Sequence, residues 1–376
     1  MDSEEKPRPQ ARPEVEALQA YSAPLEGRRG LLRLDFNENT QGPSPQVVAA
    51  IRAIAADQYA IYPEYDGLRE ALIANLAAQA LASPLSPDQV GLFNGVDAAL
   101  HAVFHAYGRP GDRLLTTSPT FGYYGPCAQM QGMVIEAIPY QLPDFGFPLG
   151  QLRSALLGSD QPGWQPPRIL LICNPNNPTG TRLAPELILD LAAAAPQTLV
   201  VVDELYEAFT GDSVLPCADF RATPNLLVLR SLAKTAGLAG LRMGFALGAP
   251  AVIDRIGRVT GPYDINSFAV TAAFAALADQ PYTDAYVAEV CKAKAWLVGQ
   301  LKAAGVRHHC AGGNYLLIWP KRPAEEVERC LRQAGILVRS MAGKPLIDGS
   351  LRVSIGTCGQ MERFWASYAE INASHQ

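Results

Sequence analysis

The sequence predicts an α/β protein with a large domain on a mostly parallel sheet and a smaller α+β domain. Three observations lead there. First, seven short apolar segments recur through the middle of the chain: Val90–Phe93, Arg113–Thr117, Val134–Ile138, Ile169–Cys173, Leu199–Val202, Leu226–Leu229 and Met243–Leu247. Several are unbroken apolar runs, the pattern of strands covered on both faces. Second, helix-favouring stretches such as Asp97–Tyr107 and Ala184–Ala195 lie between them, the rhythm of strand–helix–strand crossovers. Third, the texture changes after Gly248. Ala-rich helical stretches (Phe268–Ala278, Thr283–Ala304) precede strand-like Asn314–Trp319, helical Ala324–Ala334, strand-like Ile336–Arg339 and Leu351–Ile355, and a last helix over Gln360–Ala373.

These patterns divide the chain into an N-terminal arm (1–20), a small domain (21–55 with 249–376) and a large domain (56–248). The arm is charged and Pro-rich through Pro13 and reads as mobile. Pro143–Trp164, with its Gly and Pro residues, reads as a connection.

Of the 376 residues, 48% are hydrophobic and 18% charged, enough for sizeable cores. A net charge of −5 argues against nucleic acid as the main partner, and Lys321-Arg322 reads as solvated surface. No apolar run reaches the length of a membrane span. No charged start followed by an apolar stretch marks a secretory signal. Seven dispersed cysteines without C-x-x-C spacing suit a reducing cytoplasm. His308-His309-Cys310 has no second ligand cluster, so no metal is expected.

The chemistry gathers just past strand ends, where ligands collect in open α/β sheets. Lys234 follows the strand ending at Leu229, among small residues, three after Ser231 and eight before Arg242. Most lysines are solvated. One desolvated beside another cation becomes a usable amine nucleophile. The Ser231 hydroxyl and Arg242 guanidinium could hold a phosphate. Asp203 ends the strand Leu199–Val202, where a carboxylate can keep a ring nitrogen protonated; a helix N-cap is the plainer reading. Tyr206 lies three residues on, within reach of a phenolic oxygen. Cys173-Asn174-Pro175-Asn176-Asn177-Pro178 is either a simple loop or a rigid turn offering amide donors. Gly95, before Val96 and Asp97, opens a helix whose first amides could bind phosphate, though such glycines are common. Phe121 could stack on a flat heterocycle or be core.

Taken in order along the chain, these blocks resemble the fold-type I, aspartate aminotransferase superfamily, and within it the histidinol-phosphate aminotransferase family. Asp35-Phe36-Asn37-Glu38-Asn39-Thr40, Gly42-Pro43-Ser44-Pro45, Tyr62-Pro63-Glu64 and Leu351-Arg352-Val353-Ser354-Ile355-Gly356-Thr357 extend the resemblance from about Tyr21 to Ile371. It implies a three-layer αβα large domain and pyridoxal 5′-phosphate held as a Schiff base on Lys234. It further implies Asp203 at the pyridine nitrogen, Tyr206 and Asn177 at the ring hydroxyl, and Phe121 stacked on the ring. Gly95, Val96, Asp97, Ser231 and Arg242 would hold the phosphate. Tyr62 would reach the neighbouring subunit of a homodimer. Tyr21, Asn37, Arg339 and Arg352 would face the substrate. Two departures touch that resemblance: Thr40 where the family segment usually has proline, and Phe121 where tyrosine is common.

The activity implied is ping-pong transfer of an amino group from histidinol phosphate to 2-oxoglutarate, a step of histidine biosynthesis. An aromatic amino acid aminotransferase or a threonine-phosphate decarboxylase would keep the same cofactor residues. A non-catalytic cofactor-binding regulator would carry a DNA-binding module, for which the short arm has no room.

Overall fold

The computed structural model describes residues 9–19, 26–158 and 163–373. The main sheet has seven strands: β1 (Val90–Asn94), β2 (Arg113–Ser118), β3 (Val134–Pro139), β4 (Ile169–Cys173), β5 (Leu199–Asp203), β6 (Leu226–Ser231) and β7 (Met243–Gly248). Their spatial order is β1-β7-β6-β5-β4-β2-β3. Only β7 is reversed, pairing antiparallel with β6 and β1, so six strands share one direction. Every residue of β4 and β5 is buried, which explains their unbroken apolar runs. No residue of edge strand β3 is buried.

The helix Gly95–Tyr107 turns Val96, Ala99, Leu100, Val103 and Phe104 toward the sheet, a spacing that follows the helical period. Each large apolar side chain so buried contributes about 1.5–3 kcal/mol. That packing fixes the helix start against the carboxyl ends of the strands.

A second sheet holds β8 (Arg307–His309), β9 (Tyr315–Trp319), β10 (Arg339–Ser340) and β11 (Leu351–Ser354), in the antiparallel order β10-β11-β9-β8. Its core includes Leu297, Leu301, Leu316, Leu331, Phe364 and Tyr368 from the sheet and the helices Gln280–Ala303, Ala324–Gln333 and Cys358–Ala373. Leu32–Arg33 pairs in parallel with Ile336–Leu337, and Ser354 N–H donates to the Leu34 carbonyl at 2.9 Å. Residues 32–37 are thus stitched to this smaller unit.

Several details differ from expectation. The stretch 249–278 packs with the large core rather than the small one. Val252, Ile253 and Ile256 of the helix Pro250–Gly257, and Ala269, Val270 and Ala273 of the helix Ser267–Ala278, join the main cluster. The helix Pro45–Arg52 lies on the same side, with Val47 packed against Ala272 and Ala276. The segment Pro143–Trp164 is not merely a connection: Leu149–Leu157 is a helix burying Leu152 and Leu156 at a four-residue spacing. Ile336–Arg339 divides into two short strands that join different sheets. Part of the arm is tied down, since Arg12 donates to the Met130 carbonyl at 2.9 Å. Arg322 is not simply solvated: it pairs with Glu326 at 2.5 Å and is 15% exposed. Among the described residues no helix is long and apolar enough to cross a membrane.

Candidate active site

Five of the parallel strands and the start of β7 bring their site residues to one rim. β4 ends at Cys173, opposite Asp203 at the end of β5, and Asp203 in turn lies opposite Leu229, two residues before β6 ends at Ser231. β7 begins at Met243, opposite Asn94 at the end of β1, so Arg242 and Gly95 become neighbours. A cavity of about 120 Å³ opens there, lined by Gly95, Val96, Asp97, Phe121, Asn177, Asp203, Tyr206, Ser231, Lys234 and Arg242. Cys173, Leu205, Ala233 and Ala239 complete the wall; none was singled out from sequence, because an apolar or small residue carries no chemical signal. A larger, more open depression of about 890 Å³ runs along β1 and the helix Pro250–Gly257. It contains none of the site residues named from sequence and no lysine, so the chemistry belongs to the smaller cavity.

Lys234 Nζ donates to the Phe36 carbonyl at 3.0 Å. Burial, then the nearby Arg352 guanidinium, pushes its pKa down to about 8. More of it is therefore the free amine near neutrality than for an ordinary lysine. Asp203 is buried, which pushes its pKa up to about 6 against the hydrogen bonds that favour its charge. Its Oδ2 accepts from the Tyr124 phenol at 2.6 Å and its Oδ1 from Leu205 N–H at 3.2 Å. Tyr206 is buried and held protonated by that burial. Its oxygen accepts from Asn37 Nδ2 at 3.1 Å and from Asn177 Nδ2 at 3.3 Å.

At the other end Gly95 has φ +77°, and a Cβ there would lie 2.5 Å from Arg242 Nη2. Glycine lets the guanidinium approach the helix start. Arg242 pairs with the Asp97 carboxylate at 2.6 Å. An anion at this rim is thus served by the backbone amides of the first helical turn, which lack intrahelical partners, and not by the Asp97 side chain. Ser231 Oγ accepts from Ala233 N–H at 3.0 Å and donates to the Met243 carbonyl at 2.9 Å, which shapes the start of the lysine loop.

The loop is braced by the segment 39–43. Gly237 has φ +75°, and a Cβ there would meet Gly42 C and Pro43 N at 2.7 Å. Asn39 Nδ2 donates to the Thr235 carbonyl at 2.8 Å. Gly237→Ala should therefore lower stability by more than about 1 kcal/mol, measured by urea unfolding. An unchanged midpoint would show that the loop moves freely from the 42–43 segment.

Asn37, at φ 55°, is buried between Ser354 and Tyr206. Arg352 donates to Asn177 Oδ1 at 2.8 Å and to the Asp35 carbonyl. Arg339 and Arg352 are register partners on β10 and β11. The Arg339 guanidinium lies 5.9 Å from the Phe36 ring centre, and the carbonyl of that same residue accepts from Lys234. No carboxylate pairs with Arg339 among the described residues. Tyr62 stands apart from this cavity, 70% exposed and stacked on Tyr263 at 4.0 Å between ring centres. Tyr21 lies outside the described residues. No group of three metal-ligating side chains is present among the described residues.

An amine nucleophile, a buried carboxylate, amide donors at a phenol and a helix start beside a guanidinium fit a phosphorylated pyridine aldehyde. The chain resembles known proteins throughout. It is 33% identical to the histidinol-phosphate aminotransferase of Moorella thermoacetica, over 92% of this chain and 87% of that one. Identity to the enzyme of the same name from Symbiobacterium thermophilum is 34%, over 90% of each chain. In fold it matches the crystal structure of the Sinorhizobium meliloti histidinol-phosphate aminotransferase in complex with pyridoxal-5′-phosphate. There the TM-score is 0.84 at 24% identity, over 99% of this chain and 100% of that one. Residues 29–367 match the family described as aminotransferase class I and II. The chain belongs to that family, whose members are pyridoxal-5′-phosphate-dependent aminotransferases.

Proposed function

We propose that the protein transfers the amino group of histidinol phosphate to 2-oxoglutarate, with pyridoxal 5′-phosphate attached to Lys234. The observation that carries the cofactor site is the convergence of Lys234, Asp203, Tyr206, Asn177 and the Gly95–Arg242 rim on one cavity. Bound there, the cofactor supplies an electron sink for the substrate's Cα. Asp203 would hold the proton on the ring nitrogen. Asn177 and Tyr206 would orient the ring hydroxyl, and Phe121 would cover the ring. Val96 and Asp97 amides, Ser231 and Arg242 would hold the phosphate. Lys234 Nζ would take the Cα proton as general base.

The names of the relatives support the amine assignment, and so does the Arg339–Arg352 pair. Two like charges opposite one another across a strand pair repel. A substrate anion between or beside them relieves that repulsion, and the distal phosphate is suited to Arg339. Asn37 would line the same side. Arg339→Gln should then raise KM for histidinol phosphate about 10- to 100-fold. kcat should change little, and phenylalanine turnover should be unaffected. Equal losses on both substrates would remove Arg339 from phosphate recognition.

The exposed Tyr62 supports a homodimer in which it reaches the partner's phosphate site, and the free cysteines support a cytoplasmic setting. The deciding assay mixes the purified protein with histidinol phosphate and 2-oxoglutarate and follows glutamate and the cofactor absorbance. Fast glutamate formation from tyrosine or phenylalanine but none from histidinol phosphate would reassign the donor. Release of CO₂ would reassign the reaction.

A further inference from the structure

Among the described residues, the one side-chain hydrogen bond to the site carboxylate comes from a residue with no assigned role. Tyr124 is 1% exposed and opens the helix Tyr124–Gln129. Its phenol donates to Asp203 Oδ2 at 2.6 Å. Its ring stands edge-on to Phe121, 5.4 Å between centres and 82° between planes. Its N–H donates to the Phe121 carbonyl at 3.3 Å, so one tight turn fixes both aromatic residues. The Asp203 backbone is itself tied to β4 through Asn174 N–H, at 2.9 Å.

We propose that Tyr124 is a positioning residue for the reaction, orienting the Asp203 carboxylate through its phenol and the Phe121 ring through its own ring edge. This rests on the roles proposed above for Asp203 and Phe121. No cationic side chain pairs with Asp203 among the described residues. Its negative charge is held by two neutral donors, Tyr124 and the Leu205 amide. A charge kept without a cation is available to a cationic partner entering the cavity. Its orientation then depends on those two donors. The amide comes with the strand end. Among the described residues the phenol is the only side-chain donor to Asp203, and burial keeps it protonated and donating.

Tyr124→Phe removes the hydroxyl and keeps the ring. It should lower kcat about tenfold, the loss of one hydrogen bond to a charged group, with KM within about twofold. Thermal stability should stay near that of the parent, because the ring still fits. The second readout needs no turnover. In cofactor-stripped protein labelled with ¹³C-aspartate, the Asp203 carboxyl resonance should titrate at higher pH in Tyr124→Phe, since a donor to its charged form is gone. Asp203→Asn assigns that resonance and tests the underlying role. If Asp203→Asn keeps full turnover, the reading of Asp203 fails. If Asp203→Asn is inactive while Tyr124→Phe retains parental kcat or leaves the resonance unmoved, the reading of Asp203 stands and the role of Tyr124 is overturned.

Discussion

Replacing Lys234 with alanine is expected to lower amino transfer by about 10⁴-fold or more and to abolish the absorbance of covalently held cofactor. The size follows from two losses at one atom. In the role proposed for it, Nζ would be both the nucleophile that attaches the cofactor and the base that takes the substrate proton. No second lysine lines the cavity to replace it. The fold should survive, because truncation removes a buried amine and returns only the Phe36 carbonyl contact. Glutamate formation in stopped assays and a spectral scan check this directly, and turnover within tenfold of the parent would sink the assignment. The pH dependence sharpens the test. A lysine with its pKa pushed down to about 8 captures an aldehyde as the free amine, so uptake by stripped protein should rise with pH and level off above about 8. A rise centred near the ordinary lysine value would mean that burial does not act on Nζ.

Arg230→Met should destabilise the protein by about 3–5 kcal/mol. Side chains alternate along a strand, so where Asp203 and Ser231 face the cavity, Glu204 and Arg230 point to the other side. There Arg230 meets Glu204 at 2.8 Å and Glu207 at 2.5 Å, with Arg230 5% and Glu204 0% exposed. The Val214 amide donates to the other Glu204 oxygen, Oε1, at 2.7 Å, and the Ser213 hydroxyl donates to Oε2 beside Arg230 at 3.0 Å. Removing the guanidinium strands a buried carboxylate. The double variant Arg230→Met with Glu204→Leu removes both charges and should recover much of the loss. Urea unfolding of both proteins measures the difference. A single variant as stable as the parent would show that water reaches Glu204 when Arg230 is gone.

This clamp was invisible in the sequence, where Glu204 and Arg230 are merely charged residues beside site residues. What was legible is local. The strands Ile169–Cys173 and Leu199–Asp203 announce themselves by apolar runs, and the residues that follow them lie at the rim by construction. Asn177, Asp203, Ser231 and Lys234 therefore reach one cavity once the strands pair in parallel. Strand order is a property of the whole chain, so the reversal of β7 had no local signature. Tyr124 was missed because an aromatic three residues after Phe121 looks like core, and only the distance to Asp203 distinguishes it. The helix Leu149–Leu157 was hidden by surrounding Gly and Pro, although Leu149, Leu152 and Leu156 keep helical spacing. The 249–278 stretch is Ala-rich in either unit, and composition does not say which core takes it.

The meeting of Gly95 and Arg242 across β1 and β7 has a consequence for biogenesis. Asp97 and Arg242, joined at that rim, are 145 positions apart in the chain. At about 5–20 residues per second the ribosome takes roughly 7–30 s to travel between them. During that interval the five intervening strands can pair among themselves while the flank awaiting β7 stays open. Closing so long a loop is slow relative to local pairing. The Gly95–Arg242 rim thus comes into being only when the last strand of the sheet slots between the first and the sixth. If the cofactor binds as proposed, a nascent chain could hold none before then, and until β7 is in place the unpaired sheet edge stays open to pairing with other chains.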